Sequence, residues 1–133
     1  MGKRDIKAQV RVRQLFTKIE RSANATIQGV NVSDFDGHAF LVDCGAHTSG
    51  TGYKVTLQHR DGSDSWADIP DAQLEGKTNE FSVAVGDADS QIYVGYTGNK
   101  SQIGAVLTRE GTGVMVVGVS VIEGYPGQFP VNG

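Results

Sequence analysis

The sequence predicts an all-β fold: a single antiparallel β-sandwich of the jelly-roll type with a basic N-terminal arm. Apolar and polar residues alternate with period two in several runs between residues 25 and 123, which is typical of strands. Glycine contributes 18 of the 133 residues, and this content suits many tight turns. A count of about eight or nine short strands at regular spacing indicates a sandwich or barrel. We assign residues 1–22 to the arm, 23–126 to the sandwich and 127–133 to a C-terminal tail.

The strands before residue 90 are predicted from alternation and from turn residues. Residues 8–13 alternate strictly and repeat valine, so we favour a strand within the arm over a helix. The clearest half-buried strand spans residues 53–60, and the Asp61-Gly62 pair predicts a hairpin after it. Pro70 suits the first turn of a helix, so we predict one helical turn there. The other predicted strands span residues 25–32, 38–44, 65–69 and 80–85.

The last third of the chain carries three apolar runs, at residues 91–96, 102–109 and 114–123, with glycine-containing breaks between them. Because short glycine turns join antiparallel neighbours, we predict that these runs form a three-stranded meander. The final run is apolar on both faces, and Val117 and Val119 lie within it. Such a run predicts a central strand that is covered on both sides.

Charge is distributed unevenly along the chain. Up to Arg21, seven basic and two acidic residues give a net charge of +5, whereas the remainder, with five basic and thirteen acidic residues, carries −8. Two interpretations of the basic segment stay open: a solvated terminus, or an arm that docks on an acidic partner surface. Nucleic-acid binding is not expected, because phosphates would repel the acidic body. The candidate partner-binding residues are Lys3, Arg4, Lys7, Arg11 and Arg13.

The arm hypothesis makes a prediction about truncation. Arg11 and Arg13 alternate with valines, so a strand there would pair its backbone with a neighbour's sheet edge while its charges face acidic groups. Deleting the residues up to Arg13 would then leave a folded body that no longer binds its partner. The alternative is that this strand is integral to the sandwich, in which case the same deletion would unfold the protein.

Composition argues against several classes of protein. No run approaches the ~20 consecutive apolar residues of a transmembrane helix, so we expect no membrane partner. Residues 1–6 are charged without an apolar segment behind them, so we expect no secretory signal. Cys44 is the only cysteine, which excludes an internal disulfide and favours folding in the reducing cytoplasm.

The candidate chemical sites lack residues that their chemistry needs. Cys44 and His47 lie three positions apart, but a zinc site needs a second close pair. Residues 61–64 resemble part of a calcium loop without its closing glutamate, so a hairpin turn explains them. No motif assembles a nucleophile, a base and an oxyanion donor. We therefore expect no catalytic residues, no metal, no cofactor and no enzymatic activity.

Five aromatic residues leave a binding function open. Exposed tyrosine and tryptophan side chains stack on sugars, whereas buried ones pack the core with their hydroxyl groups at the rim. We favour core packing for Trp66 and most of the tyrosines. The residues concerned are Tyr53, Trp66, Tyr93, Tyr96 and Tyr125.

The turn and strand patterns resemble a group of small tailed-phage virion proteins. In that group a Y-x-x-Y-x-G-x-K segment precedes a valine-rich strand and a late Gly-x-Pro. This chain has the same order in Tyr93, Tyr96, Gly98 and Lys100, followed by Gly124-Tyr125-Pro126. Residues 53–63 are similar to the group's F-x-V-x-L-Q-x-S-D-D-G segment. The group has an aromatic–arginine pair after the lysine, whereas this chain has Gln102-Ile103-Gly104, so no role is carried over for that arginine.

The resemblance extends over nearly the whole chain and implies a virion structural component with a β-sandwich fold. The implied role is that of a capsid cement or decoration protein, made in the host cytoplasm and located on the capsid surface. Its implied partners are the major capsid protein and further copies of itself, as a dimer or trimer. The alternatives are a carbohydrate-binding module of a tail or fibre, which would cluster its aromatics on one exposed face, and a ring-forming head–tail joining protein.

Overall fold

The computed structural model describes residues 10–32 and 37–124, and almost all of the regular structure in these ranges is β-strand. Short 3₁₀ helices span Asp71–Gln73, at the predicted helical turn, and Val85–Asp87. The strands are β1 (Val10–Arg21), β2 (Ala25–Asn31), β3 (Gly37–Ser49), β4 (Gly52–Arg60), β5 (Ala67–Asp68), β6 (Leu74–Glu75), β7 (Glu80–Val83), β8 (Gln91–Tyr96), β9 (Gln102–Glu110) and β10 (Val114–Gly124).

These strands form two antiparallel sheets, which confirms the predicted sandwich. The first sheet has the order β1-β10-β3-β8-β6, and the second has the order β2-β9-β4-β5, with β7 also paired to β4. Without the two-residue strands β5 and β6, the sheets read β1-β10-β3-β8 and β2-β9-β4-β7. Eight strands divided between two four-stranded sheets in this order are the arrangement of a jelly roll.

The core lies between the two sheets and is almost entirely apolar. Phe40, Val42 and Val94 of the first sheet face Val55 and Leu57 of the second, and none of these side chains is exposed to solvent. Period-two alternation produces this arrangement, because successive side chains of a strand point to opposite faces of the sheet. Burial of such side chains stabilises the fold by about 1.5–3 kcal/mol each.

The predicted meander of the last three strands is wrong. β8 pairs with β3 and β6, β9 pairs with β2 and β4, and β10 pairs with β1 and β3, so the chain changes sheet at each turn. Glycine turns identify where the chain reverses but not which strand becomes the partner. The central position predicted for β10 is confirmed, because it lies between β1 and β3. The prediction that both of its faces are covered is wrong for part of the strand: the inner face is buried at Val117 and Val119, whereas Val114 and Val116 on the outer face are partly exposed.

The N-terminal region differs from the predicted arm. Val10–Arg21 forms β1, an edge strand that pairs antiparallel with β10 over most of its length. For these residues the structure agrees with the alternative, a strand that is integral to the sandwich. Two irregularities interrupt the pairing, between Gln14 and Phe16 and between Phe16 and Ile19. The rest of the predicted arm, with Lys3, Arg4 and Lys7, and the predicted tail at 127–133 lie outside the described residues.

The two sides of the sandwich present edges of very different length. The edge strands β1 and β2, of 12 and 7 residues, lie next to each other on one side. The other side ends in β5 and β6, of 2 residues each, and in β7, of 4 residues. Short strands are a common way to protect a sheet edge from pairing with another chain. Among the described strands, the longest edges therefore lie on the β1–β2 side.

Candidate functional site

A buried carboxylate lies at the end of β10. The side chain of Glu123 is fully buried, and Glu123 is the one acidic residue of β10. Arg11 Nη2 donates to Glu123 Oε2 at 3.2 Å, and Arg13 Nε donates to Glu123 Oε1 at 2.6 Å. We call Arg11, Arg13 and Glu123 the Arg–Glu–Arg cluster. Each oxygen of the carboxylate has its own cationic donor, which is what burial of a charge requires.

The register of β1 explains why both arginines reach the same carboxylate. Arg11 lies directly opposite Glu123, and Arg13 lies opposite Val121, so all of these side chains share the inner face of the first sheet. Arg13 Nη2 also donates to the backbone carbonyl of Asn31 in β2. Arg13 therefore links the edge strand of the first sheet to the edge strand of the second sheet.

Of the five candidate partner-binding residues, the structure brings two together. Arg11 and Arg13 lie side by side in the Arg–Glu–Arg cluster, with 39% and 30% of their side chains exposed. The other three candidates, Lys3, Arg4 and Lys7, fall outside the part of the chain that the structure describes. A role of the five residues in partner binding stays a prediction.

Glu123 was missed by sequence reasoning. Its two arginines lie 112 and 110 positions away, so no local motif connects them. The available signal was its position in an otherwise apolar alternation: Val117, Val119 and Val121 occupy the inner face, and Glu123 is next in the series. An acid at an inward position of a buried strand requires a cationic partner.

A second group of polar side chains lies beside the Arg–Glu–Arg cluster. His38 is opposite Glu123 on one side and opposite Tyr96 on the other, so the three residues form a row across the first sheet. Tyr96 Oη lies 2.9 Å from Nδ1 of His59, which belongs to β4 of the second sheet. We call the Arg–Glu–Arg cluster together with His38, Tyr96 and His59 the polar end of the sandwich. Its residues connect the two sheets where β1 begins and β10 ends.

Burial controls the protonation of this second group. Desolvation lowers the pKa of His59, the charge of Lys100 lowers it further, and Asp61 opposes them. Desolvation also raises the pKa of Tyr96, against a hydrogen bond from the backbone of Lys100. Both shifts favour the neutral forms, so the contact between the two sheets is an uncharged hydrogen bond at neutral pH.

Cys44 and Asp61, which the sequence analysis considered as parts of metal sites, lie in a buried position and in a hydrogen-bonded turn, respectively. Within residues 10–32 and 37–124, no group of three or more His, Cys, Asp or Glu side chains could hold a metal ion. Burial, followed by the charges of Asp87 and Asp43, raises the pKa of Cys44 to about 11. Its thiol is therefore protonated at neutral pH and a poor ligand or nucleophile. Asp61 accepts from the backbone N–H of Ser101 at 2.9 Å, so its carboxylate holds a turn.

The aromatic residues are distributed between the core and two opposite surfaces. Tyr53 and Tyr96 are buried, as expected from core packing, and the hydroxyl of Tyr53 donates to the carbonyl of Ala23 at 2.8 Å. Tyr93 is 36% exposed on the outer face of the first sheet, opposite Leu41. Trp66 is partly exposed and lies against Gly29 of the second sheet. Among the described residues, the exposed aromatics thus share no common face; Tyr125 lies outside these residues.

Trp66 is held by a glycine beneath its ring and a cation above it. The guanidinium carbon of Arg60 lies 4.4 Å from the ring centroid, and Arg60 Nε donates to Gln102 Oε1 at 2.7 Å. A side chain at position 29 would overlap the edge of the Trp66 ring. Gly29 is therefore required for the Trp66 ring to approach the second sheet this closely.

Gly29→Ala is expected to displace Trp66 without unfolding the protein. The added Cβ overlaps the far end of the partly exposed Trp66 side chain and lies 3.1 Å from the carbonyl oxygen of Ile103, so the ring moves toward solvent at a cost of about 1 kcal/mol. Tryptophan fluorescence should shift to longer wavelength, with a modest fall in the free energy of unfolding. Gly86→Ala is the matched control, because a Cβ there meets nothing within 4 Å. Unchanged emission in the Gly29 variant would contradict this placement of Trp66.

Comparisons with known proteins yield little similarity. No model of a known protein family matches the chain, and no curated protein matches it. A similar solved structure is the crystal structure of the infectious bursal disease virus VP2 subviral particle, at 10% sequence identity and a TM-score of 0.30. The match covers 87% of this chain and 41% of that chain, so this chain spans less than half the length of VP2 in that structure. None of the described residues form a helix long and apolar enough to cross a membrane.

Proposed function

We propose that the chain is a virion structural protein that binds and stabilises a phage capsid shell, as a cement or decoration protein. The observation that carries the proposal is the jelly-roll strand order of the two sheets, an architecture used by viral capsid and lectin domains. Because a fold alone does not determine function, the proposal also depends on the resemblance of the turn and strand patterns to small tailed-phage virion proteins.

The β1–β2 side is the docking side in this proposal, and the major capsid protein is its partner. Among the described strands, β1 pairs with β10 alone, so its other edge is available for an added strand. The basic residues Lys3, Arg4 and Lys7 precede this strand in the sequence. Exposed ion pairs contribute only about 0–1 kcal/mol each, so backbone pairing and apolar burial supply most of the affinity. The charges then set orientation and association rate.

The distribution of aromatics favours capsid binding over the carbohydrate-binding alternative. A sugar platform needs aromatic rings on one surface, whereas Trp66 and Tyr93 lie on the outer faces of different sheets. A head–tail joining protein would form a ring at one vertex. A cryo-EM map of the intact particle would distinguish a ring at one vertex from a protein distributed over the capsid surface. The same map would give the oligomeric state, for which we propose a dimer or trimer.

Co-sedimentation with capsids that lack the protein tests the proposal. The full-length chain is expected to sediment with the shells, and the triple variant Lys3→Glu, Arg4→Glu, Lys7→Glu is expected to lose most of this binding. Lys77→Glu is the control, because Lys77 is exposed and lies next to Phe81, away from β1. Absence of binding by the full-length chain would overturn the capsid function. Undiminished binding by the triple variant would leave the function in place and exclude the arm as its site.

A further inference from the structure

A buried hydrogen bond between Tyr96 and His59 joins the two sheets at the polar end. Tyr96 of β8 and His59 of β4 meet edge to face, with 5.8 Å between ring centroids and planes at 82°. Their polar atoms, Tyr96 Oη and His59 Nδ1, lie 2.9 Å apart. His59 is only 6% exposed and Tyr96 5%, so water does not replace this bond readily. In this buried environment the hydrogen bond is electrostatically stronger than it would be at the surface.

The neighbouring backbone determines the direction of the bond. The backbone N–H of Lys100 donates a hydrogen bond to Tyr96 Oη at 3.2 Å, so the phenolic oxygen already acts as an acceptor there. We assign the hydroxyl proton of Tyr96 to the contact with His59, so that Nδ1 is the unprotonated, accepting nitrogen. The neutral His59 therefore carries its proton on Nε2. A protonated imidazole has N–H groups on both nitrogens and cannot accept from Tyr96; if its Nδ1–H donated to Oη instead, the hydroxyl proton of Tyr96 would lose this acceptor.

The groups that surround His59 disfavour its charged form. On neighbouring elements, Lys100 is a cation and Asp61 an anion, and Asp61 is itself engaged by an ion pair with Lys100 at 3.4 Å. Across the ring of Tyr96 lies His38 of β3, with 6.4 Å between the ring centroids. Directly opposite His59 in β9 is the apolar Ile103, and opposite it in β5 is Ala67. Of the groups named here, Asp61 is the one whose charge favours a proton on His59, and Lys100 already pairs with that charge.

We propose that the polar end is a pH-sensitive clasp, in which protonation of His59 breaks its bond with Tyr96 and loosens the contact between the two sheets. The effect is local, because the opposite end of the sandwich is held by other contacts, such as the bond from the Arg109 N–H to Asn24 Oδ1 at 2.7 Å. The polar end is also where β1 begins, β3 begins and β10 ends, since Val10, Gly124 and Gly37 are neighbours in register.

The direction of the pH effect follows from the lowered pKa of His59. The unfolded chain has the ordinary histidine pKa of about 6.5, so it binds the proton at a higher pH than the folded chain does. The stabilising contribution of neutral His59 is complete above that ordinary value. It is lost as the pH falls through the lower pKa of the folded protein.

Amide hydrogen exchange at about pH 7.5 and about pH 5, corrected for intrinsic rates, tests the clasp. The Lys100 amide bonds directly to Tyr96, so its protection is expected to fall by up to ~10-fold for each unit by which the pKa of His59 is lowered. The Arg109 amide at the opposite end is the internal control and should change little. In His59→Asn, an uncharged side chain keeps an acceptor near the Nδ1 position, and the pH effect at Lys100 should disappear.

Two outcomes would overturn the proposal. One is an equal loss of Lys100 protection in the wild-type protein and in His59→Asn. The other is an imidazole NMR result on the wild-type protein that contradicts the assigned state of His59; this measurement needs no variant to fold. Such a result is a proton on Nδ1 at neutral pH, or a titration midpoint of His59 at or above the ordinary histidine value. His47→Asn is the matched histidine control, because His47 bonds to the carbonyl of Gly50 on the exposed surface.

Discussion

Val119→Asp is expected to prevent the chain from folding. Val119 is fully buried in the middle of β10, between Phe16 of β1 and Val42 of β3. Its described neighbours in register, Phe16 and Val42, are apolar, so the new carboxylate would be buried without a partner among them at a cost of several kcal/mol. Small domains are stable by only about 5–15 kcal/mol, and the lost apolar contacts add to the cost. Circular dichroism and the soluble fraction after expression would report the result.

The same change at an exposed valine provides the control. Val12 lies on β1 and is 60% exposed, so Val12→Asp should alter stability by no more than about 0.5 kcal/mol. Both variants add one carboxylate to a strand of the same sheet. Soluble Val119→Asp protein with a cooperative thermal transition like that of Val12→Asp would show that β10 does not occupy the centre of the core.

Strand existence and strand faces could be predicted from the sequence because they depend on local alternation. In β4 the predicted inner residues Tyr53, Val55, Leu57 and His59 are all buried, and the intervening residues are partly exposed. The alternation arises from the geometry of a single strand, so it does not depend on the identity of the neighbour. The hairpin predicted at Asp61-Gly62 is confirmed, since β4 pairs with β5, and the turn residues that signal it are also a local feature of the sequence.

Strand partners and strand lengths could not be predicted in the same way. β3 continues through the mostly small residues at positions 45–49, beyond residue 44 where the predicted strand ends. Gly, Ala, Thr and Ser give no apolar alternation, and the strand is defined there by pairing of His47 and Ser49 with β10. Such pairing is a tertiary contact, which overrides local propensity.

The arginines of β1 show how alternation can identify a face but not its direction. Arg11 and Arg13 alternate with Val12, so the sequence placed the arginines on one face and the valine on the other. The usual expectation is that apolar residues face inward. Here the arginine face points inward to Glu123, and Val12 is the exposed residue. The reversal requires a buried acid more than 100 positions away, which is a contact that no local pattern contains.

Two truncations separate the arm from the edge strand. A chain that begins at Val10 keeps the whole of β1 and should retain wild-type stability, because the described pairing with β10 is intact. A chain that begins at Gln14 loses Arg11 and Arg13 and leaves Glu123 buried without a counter-charge. Removing the partner of a buried charge destabilises a protein by about 3–5 kcal/mol, and the lost backbone pairing adds to this. Urea or thermal unfolding would measure the difference.

The double variant Arg11→Met, Arg13→Met tests the contribution of charge with the backbone of β1 intact. It is expected to lose a large part of the same ~3–5 kcal/mol, because the carboxylate of Glu123 again lacks its partners. Adding Glu123→Leu to this double variant removes the buried charge and should restore much of the stability, since an apolar side chain suits the neighbouring core. The chain that begins at Gln14 would not regain its backbone pairing with β10 through Glu123→Leu alone. If the double variant is as stable as the wild-type protein, the Arg–Glu–Arg cluster does not stabilise this end of the sandwich.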